Sequence, residues 1–69
     1  MQLSERMRAV AAFVTPGNRV ADVGCDHGYL AIWLCAEKIV PSALALDVNP
    51  GPLSAARQNI AARGLEAYI

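Results

Sequence analysis

The stretch Val20-Ala21-Asp22-Val23-Gly24-Cys25-Asp26-His27-Gly28-Tyr29 constrains this chain more than any other. A short apolar segment runs into a tight loop bearing Gly24, Asp26, His27 and Gly28, and a run of helical length, Leu30 to Glu37, follows at once. A strand that turns directly into a helix is the layout of a nucleotide-type ligand site, because loop amides and the helix N-terminus converge at one point. The other segments read as elements that present or support this loop.

Leu3, Met7, Val10, Ala11 and Val14 recur at helical spacing, with Glu5, Arg6 and Arg8 on other faces. This predicts an amphipathic helix over Ser4 to Phe13, N-capped by Ser4 and stopped by Thr15-Pro16-Gly17-Asn18. Arg19 to Val23 then reads as a short strand of the kind covered on both faces in a parallel sheet. Leu30 to Glu37 is apolar almost all round, as expected of a helix that lies against a sheet and is itself covered. After Pro41-Ser42, Ala43-Leu44-Ala45-Leu46 is a second apolar strand closing on Asp47. Pro50 pushes Asn49 out of the helical region, so the next helix is expected to begin at Pro52, with Leu53, Ala56 and Ile60 buried and Gly64 as its C-cap. Ala67-Tyr68-Ile69 reads as the beginning of a third strand.

This order predicts an α/β fold: the N-terminal part of a Rossmann-like domain, a parallel sheet with flanking helices and right-handed crossovers. Residues 1–18 form the N-terminal amphipathic helix and turn, and residues 19–69 the first half of the ligand-binding domain. A chain of 69 residues buries only ~60% of its unfolded surface and is marginal without assistance. Two cysteines, Cys25 and Cys35, are too few for a disulfide scaffold, and no Cys/His spacing suits a metal site, so no metal is expected. A hydrophobic content of 55% instead suits a piece of a larger core, and the chain is expected to be truncated. Six basic residues cancel six acidic ones, which leaves no basic field for nucleic acid within these residues. Neither a signal peptide nor an apolar run approaching ~18 residues is present, so a cytoplasmic protein with reduced thiols and no membrane contact is expected.

Charge discriminates between ligands for the loop. A dinucleotide site wants glycine at three positions of G-x-G-x-x-G, and counted from Gly24 the second and third are Asp26 and Tyr29. A carboxylate ~4 Å from a phosphate at an effective dielectric of ~20 repels it by about 4 kcal/mol. S-adenosyl-L-methionine (SAM) carries a sulfonium and an ammonium beside one carboxylate and no phosphate, so Asp22 and Asp26 become favourable. Its carboxylate can meet backbone amides near Gly28 and the N-terminus of the following helix. Asp47, at the end of the second strand, suits the two ribose hydroxyls, a feature shared with the dinucleotide reading.

Asp22-Val23-Gly24-Cys25-Asp26-His27-Gly28-Tyr29-Leu30 resembles the first SAM motif of class I methyltransferases in the form used by the bacterial tRNA (adenine(22)-N(1))-methyltransferase family, whose loop reads Asp-Ile-Gly-Ser-Asp-His-Ala-Tyr-Leu. Leu3-Ser4-Glu5-Arg6-Met7 is similar to that family's opening Leu-Ser-x-Arg-Leu, and Gly51-Pro52 with Ala56 and Asn59 to its Gly-Pro helix. The likeness covers essentially the whole chain but only about the first third of a family member. Departures are Cys25 for Ser, Gly28 for Ala, and Asp47-Val48-Asn49 where the family often has a Glu-containing segment. The resemblance implies a SAM-dependent enzyme that methylates N1 of an adenine in tRNA, with tRNA held by parts of the parent protein beyond these residues and the isolated chain inactive. It implies cofactor contacts from Arg6, Asp22, Gly24, Cys25, Asp26, His27, Gly28, Tyr29, Asp47 and Val48. Asp26 is the catalytic candidate, to hold the adenine amino group or take the proton that the methylated base sheds.

Competing readings are an NAD-type oxidoreductase domain, a class I methyltransferase with another acceptor, and an α/β interaction piece without catalysis. Asp26 also suits the N-cap of the helix that follows, His27 a loop-ordering role, and Arg6 an exposed helical position. Cys25 and Cys35 suit small buried thiols, and Trp33 and Tyr29 core positions, with Tyr29 also able to cover the pocket.

Overall fold

The computed structural model describes residues 3–69. Five elements follow one another: α1 (Glu5–Ala11), β1 (Val20–Val23), α2 (Tyr29–Ala36), β2 (Ala43–Leu46) and α3 (Pro50–Ala62). β1 and β2 pair in parallel, with Val20 opposite Ala43, Asp22 opposite Ala45 and Val23 opposite Leu46. Because the strands are parallel and end level, the loop after β1 and the acid after β2 emerge side by side. That coincidence creates the site described below.

The hydrophobic cluster gathers Ala11, Ala31, Leu34, Cys35, Val40 and Ala43, with Val14, Val20, Trp33 and Ile69 among the half-buried residues packed on it. α2 is the hub. Ile32 and Leu34 are its fully buried large side chains, and it packs on both strands, on α1 and on α3. On the strands only alternate residues are covered: Ala43 is buried and Val20, Asp22 and Ala45 half-buried, whereas Ala21, Val23, Leu44 and Leu46 are exposed. Coverage of both sheet faces is therefore not seen among the described residues; the helices present bury one.

Helix ends follow their local chemistry. Ser4 caps α1 as expected, its hydroxyl accepting from the Met7 amide at 3.2 Å. The helix stops at Ala11, short of Phe13, and the Phe13 side chain is 90% exposed. α3 begins two residues earlier than its proline pattern suggests. Asn49 is extended (φ −99°, ψ 122°) as the residue before proline must be, and that is the conformation of an N-cap, so Pro50 and Pro52 both fall in the first turn where no amide is required. At the other end, Gly64 has φ +66°, and the Gly64 and Leu65 amides donate to the Ala61 and Ile60 carbonyls, the pattern of a Schellman cap. Residues 66–68 form a turn instead of a third strand, because the Leu65 carbonyl accepts both the Tyr68 and Ile69 amides. A single ladder-like bond, Ala43 amide to Tyr68 carbonyl at 2.8 Å, joins this turn to β2.

α2 ends in the same Schellman pattern, with Lys38 and Ile39 amides donating to Cys35 and Leu34 carbonyls, but here Lys38 occupies the left-handed position at φ 57°. A non-glycine residue there carries ~1–2 kcal/mol of strain. Lys38→Gly is expected to stabilise the protein by about 0.5 kcal/mol once the greater entropy of glycine in the unfolded chain is subtracted. The urea midpoint, measured at constant m-value, checks it.

Candidate functional site

The loop between β1 and α2 is built from left-handed backbone. Gly24 has φ +71°, Asp26 +54° and Gly28 +81°. The turn closes through the Gly28 amide donating to the Cys25 carbonyl at 2.9 Å, and it is held to the neighbouring strand by the Cys25 amide donating to the Leu46 carbonyl at 2.8 Å. A Cβ on Gly24 would meet nothing within 4 Å, so the backbone there is open to close approach by a ligand. At Gly28 the constraint is the reverse: a Cβ would lie 3.1 Å from the Ala56 Cβ. The loop thus sits directly on α3, and only small residues at 28 and 56 allow it.

Asp47 does more than end a strand. Its Oδ2 accepts from the Asp26 amide at 3.0 Å and its Oδ1 from the Asn49 amide at 2.9 Å. These bonds, that from Asn49 first, hold its carboxyl below the ordinary carboxylate value. The loop's own acid therefore has its backbone fastened by the acid from β2.

Asp26 and His27 are exposed at the loop tip, with Asp26 Oδ1 3.1 Å from His27 Nδ1. The imidazole also stacks on Tyr29, ring centroids 5.8 Å apart and planes 12° from parallel. Behind them, the Asn59 side-chain amide donates to the His27 carbonyl at 2.9 Å. Asp26 does not cap α2: the N-cap is Gly28, and no side chain caps the helix. Its first-turn amides are consequently left facing the loop, where the helix dipole favours an anionic group.

Cys25 lies at the centre, 5% exposed. Burial pushes its thiol up, and the charges of Asp22, Asp47 and Asp26 push it further. Asp22 on β1, Asp26 in the loop and Asp47 just after β2 thus all lie near the strand ends, with Asp47 joined to the Asp26 amide. Burial also raises the Asp22 carboxyl, and Asp22 has no ion-pair partner among the described residues. The site is an acidic rim beside uncapped helix amides, arranged to take a ligand with separate cationic and anionic ends.

The sequence profile of the methyltransferase domain family matches residues 3–69. The chain belongs to that family. It is 30% identical over its whole length to the tRNA (adenine(22)-N(1))-methyltransferase of Bacillus subtilis (strain 168), of which it spans 29%. Over 65 residues, 91% of the chain, it is 44% identical to a ribosomal protein L11 methyltransferase of Symbiobacterium thermophilum, of which it spans 20%. The solved structure of M. capricolum TrmK in complex with S-adenosyl-homocysteine superposes with a TM-score of 0.93 at 36% identity, covering 100% of this chain and 30% of that one. This methyltransferase domain sequence accordingly spans about a third or less of the length of the relatives it matches.

Within the methyltransferase domain, Asp22, Gly24, Cys25, Asp26, His27, Gly28, Tyr29 and Asp47 lie at or beside the level ends of the two parallel strands. Val48 follows Asp47 and is 95% exposed. Arg6 lies exposed on α1 and has no hydrogen bond or ion pair to the loop among the described residues. Two concavities lie elsewhere, one where the end of α2 meets Leu65 and Tyr68, the other between α1 and Trp33; neither includes the loop. Ala56 and Asn59 are residues of the site that sequence reasoning does not assign to it. The readable signal is a small residue and an amide at i and i+3 on the face of α3 that carries the buried Ile60.

Proposed function

We propose that the protein is a SAM-dependent methyltransferase that modifies N1 of an adenine in tRNA. The observation that carries the cofactor is the geometry at the strand ends: Asp22 on β1 lies opposite Ala45, and Asp47, just after β2, accepts the Asp26 amide at 3.0 Å beside the uncapped start of α2. This arrangement repels a pyrophosphate and suits the charge pattern of SAM. The first-turn amides of α2 hold the methionine carboxylate, Asp22 faces the cationic end, and Asp47 keeps two lone-pair directions for the ribose hydroxyls after serving two backbone amides. The open backbone at Gly24 lets the cofactor approach. Bound SAM supplies an electrophilic methyl group. The protein's task is to align the adenine nitrogen with it and to keep both partners oriented.

Asp26, at the exposed tip and paired with His27, holds the adenine amino group and balances the positive charge that N1 methylation puts on the ring. The tRNA substrate is supported by similarity to the Bacillus subtilis enzyme along the whole chain. The match to a ribosomal protein L11 methyltransferase favours a second acceptor, a ribosomal protein. A tRNA substrate fits a cytoplasmic enzyme, and no helix among the described residues is long and apolar enough to cross a membrane.

Calorimetry on the full-length protein with SAM, S-adenosyl-homocysteine and NAD tests the cofactor. Micromolar binding of both sulfur ligands and none of NAD is expected; the reverse pattern would sink the proposal. Transfer of labelled methyl to a tRNA transcript, compared with transfer to ribosomal protein L11, decides the acceptor.

A further inference from the structure

We infer that Asn59 is a positioning residue for methyl transfer, acting through the His27 carbonyl to hold the Asp26-His27 tip over the cofactor site. The inference rests on the function proposed above. Besides its own turn and the Cys25 amide bond to the Leu46 carbonyl, the loop has two side-chain anchors: the Asp47 carboxylate receives the Asp26 amide, and Asn59 gives its side-chain amide to the His27 carbonyl at 2.9 Å. Among the described residues no backbone amide reaches that carbonyl. The protein donor to it is the Asn59 side-chain amide.

The anchor is aimed at the reactive end of the loop. Asn59 lies one turn beyond Ala56, on which Gly28 rests, so α3 touches two consecutive loop residues. The same His27 whose carbonyl is held pairs its ring with the Asp26 carboxylate and stacks it on Tyr29. Fixing the His27 backbone fixes the imidazole, and through it the orientation of the Asp26 carboxylate. No charge passes from Asn59 to the ligand, so its effect falls on alignment and not on cofactor affinity.

Asn59→Ala and the isosteric Asn59→Asp, which lacks the donor, test this in the full-length protein. Both are expected to lower kcat at least ~10-fold while the SAM dissociation constant and KM stay within about threefold. Amide hydrogen exchange at Asp26 and Gly28 is expected to accelerate at least ~10-fold with α3 protection unchanged. Unchanged loop exchange, or a fall in SAM affinity equal to that in kcat, overturns the inference. If Asn59→Ala does not fold, Asn59→Asp decides. A wild-type protein that neither binds SAM nor methylates tRNA overturns the proposed function instead, and loop exchange still reads whether Asn59 holds the tip.

Discussion

Asp26→Asn in the full-length protein is expected to lower methyl transfer at least ~100-fold while SAM binding weakens by no more than about tenfold, the pattern of an interaction made mainly in the transition state. Asparagine is the informative replacement. Asp26 has φ 54°, a conformation that Asp and Asn tolerate and most other residues do not. Asp26→Asn therefore keeps the backbone, keeps the amide that donates to Asp47 and removes only the charge. Asp26→Ala loses the same charge but adds about 1 kcal/mol of backbone strain, so any further loss it shows belongs to the loop and not to the chemistry. Single-turnover transfer from labelled SAM, alongside calorimetry, reads both quantities. Near-normal turnover in Asp26→Asn removes Asp26 from the catalytic role.

Asp47→Ala is expected to have the opposite signature: a loss of SAM affinity on the order of 10- to 100-fold, with a further fall in kcat. The affinity falls because the ribose hydroxyls lose a charged acceptor. Turnover falls because the Asp26 amide loses its partner and the loop tip is freed. Asp47→Asn keeps one acceptor oxygen and is expected to lie between alanine and wild type. The pH dependence follows from the depressed carboxyl of Asp47. A carboxylate with a folded-state value below its unfolded one stabilises the loop fully above the unfolded value and loses that contribution as pH falls through the folded one. SAM affinity is thus expected to be insensitive to Asp47 titration from about pH 5 to 8, and to fall only below about pH 4. Isothermal titration across that range checks it; a break near neutrality would point to another group.

Much of this architecture is legible in the residues alone where local chemistry decides it. Ala43 to Leu46 has its strand bounds fixed by Pro41-Ser42 before it and Asp47 after it, and β2 has those bounds. Ser4 is legible as a cap because a serine hydroxyl at the head of a periodic apolar run has one obvious use. The start of α3 differs from expectation by two residues because the rule that proline excludes helix from the residue before it also describes an N-cap, and Asn49 satisfies both. The third strand fails for a different reason. Ala67-Tyr68-Ile69 has strand composition, yet the Schellman end of α3 leads into a turn that claims the Tyr68 and Ile69 amides.

The acids of the site are legible by charge, but their mutual arrangement is not. The Asp47 bond to the Asp26 amide spans 21 positions and the Asn59 bond to the His27 carbonyl spans 32. Such bonds exist only once parallel strands have brought two chain segments level. The capping role considered for Asp26 likewise yields to geometry: the left-handed turn puts Gly28, and not Asp26, at the head of α2.

The contact between Gly28 and Ala56 makes these two positions share one allowance of volume. With a Cβ on residue 28 already 3.1 Å from that of residue 56, a methyl gained on one side must be matched by atoms removed, or a helix displaced, on the other. The family whose loop this one resembles has Ala at position 28 beside Ala at position 56, so there the loop and α3 must stand a few tenths of an ångström further apart. Gly28→Ala in this chain is therefore expected to shift the loop away from α3 unless Ala56→Gly accompanies it.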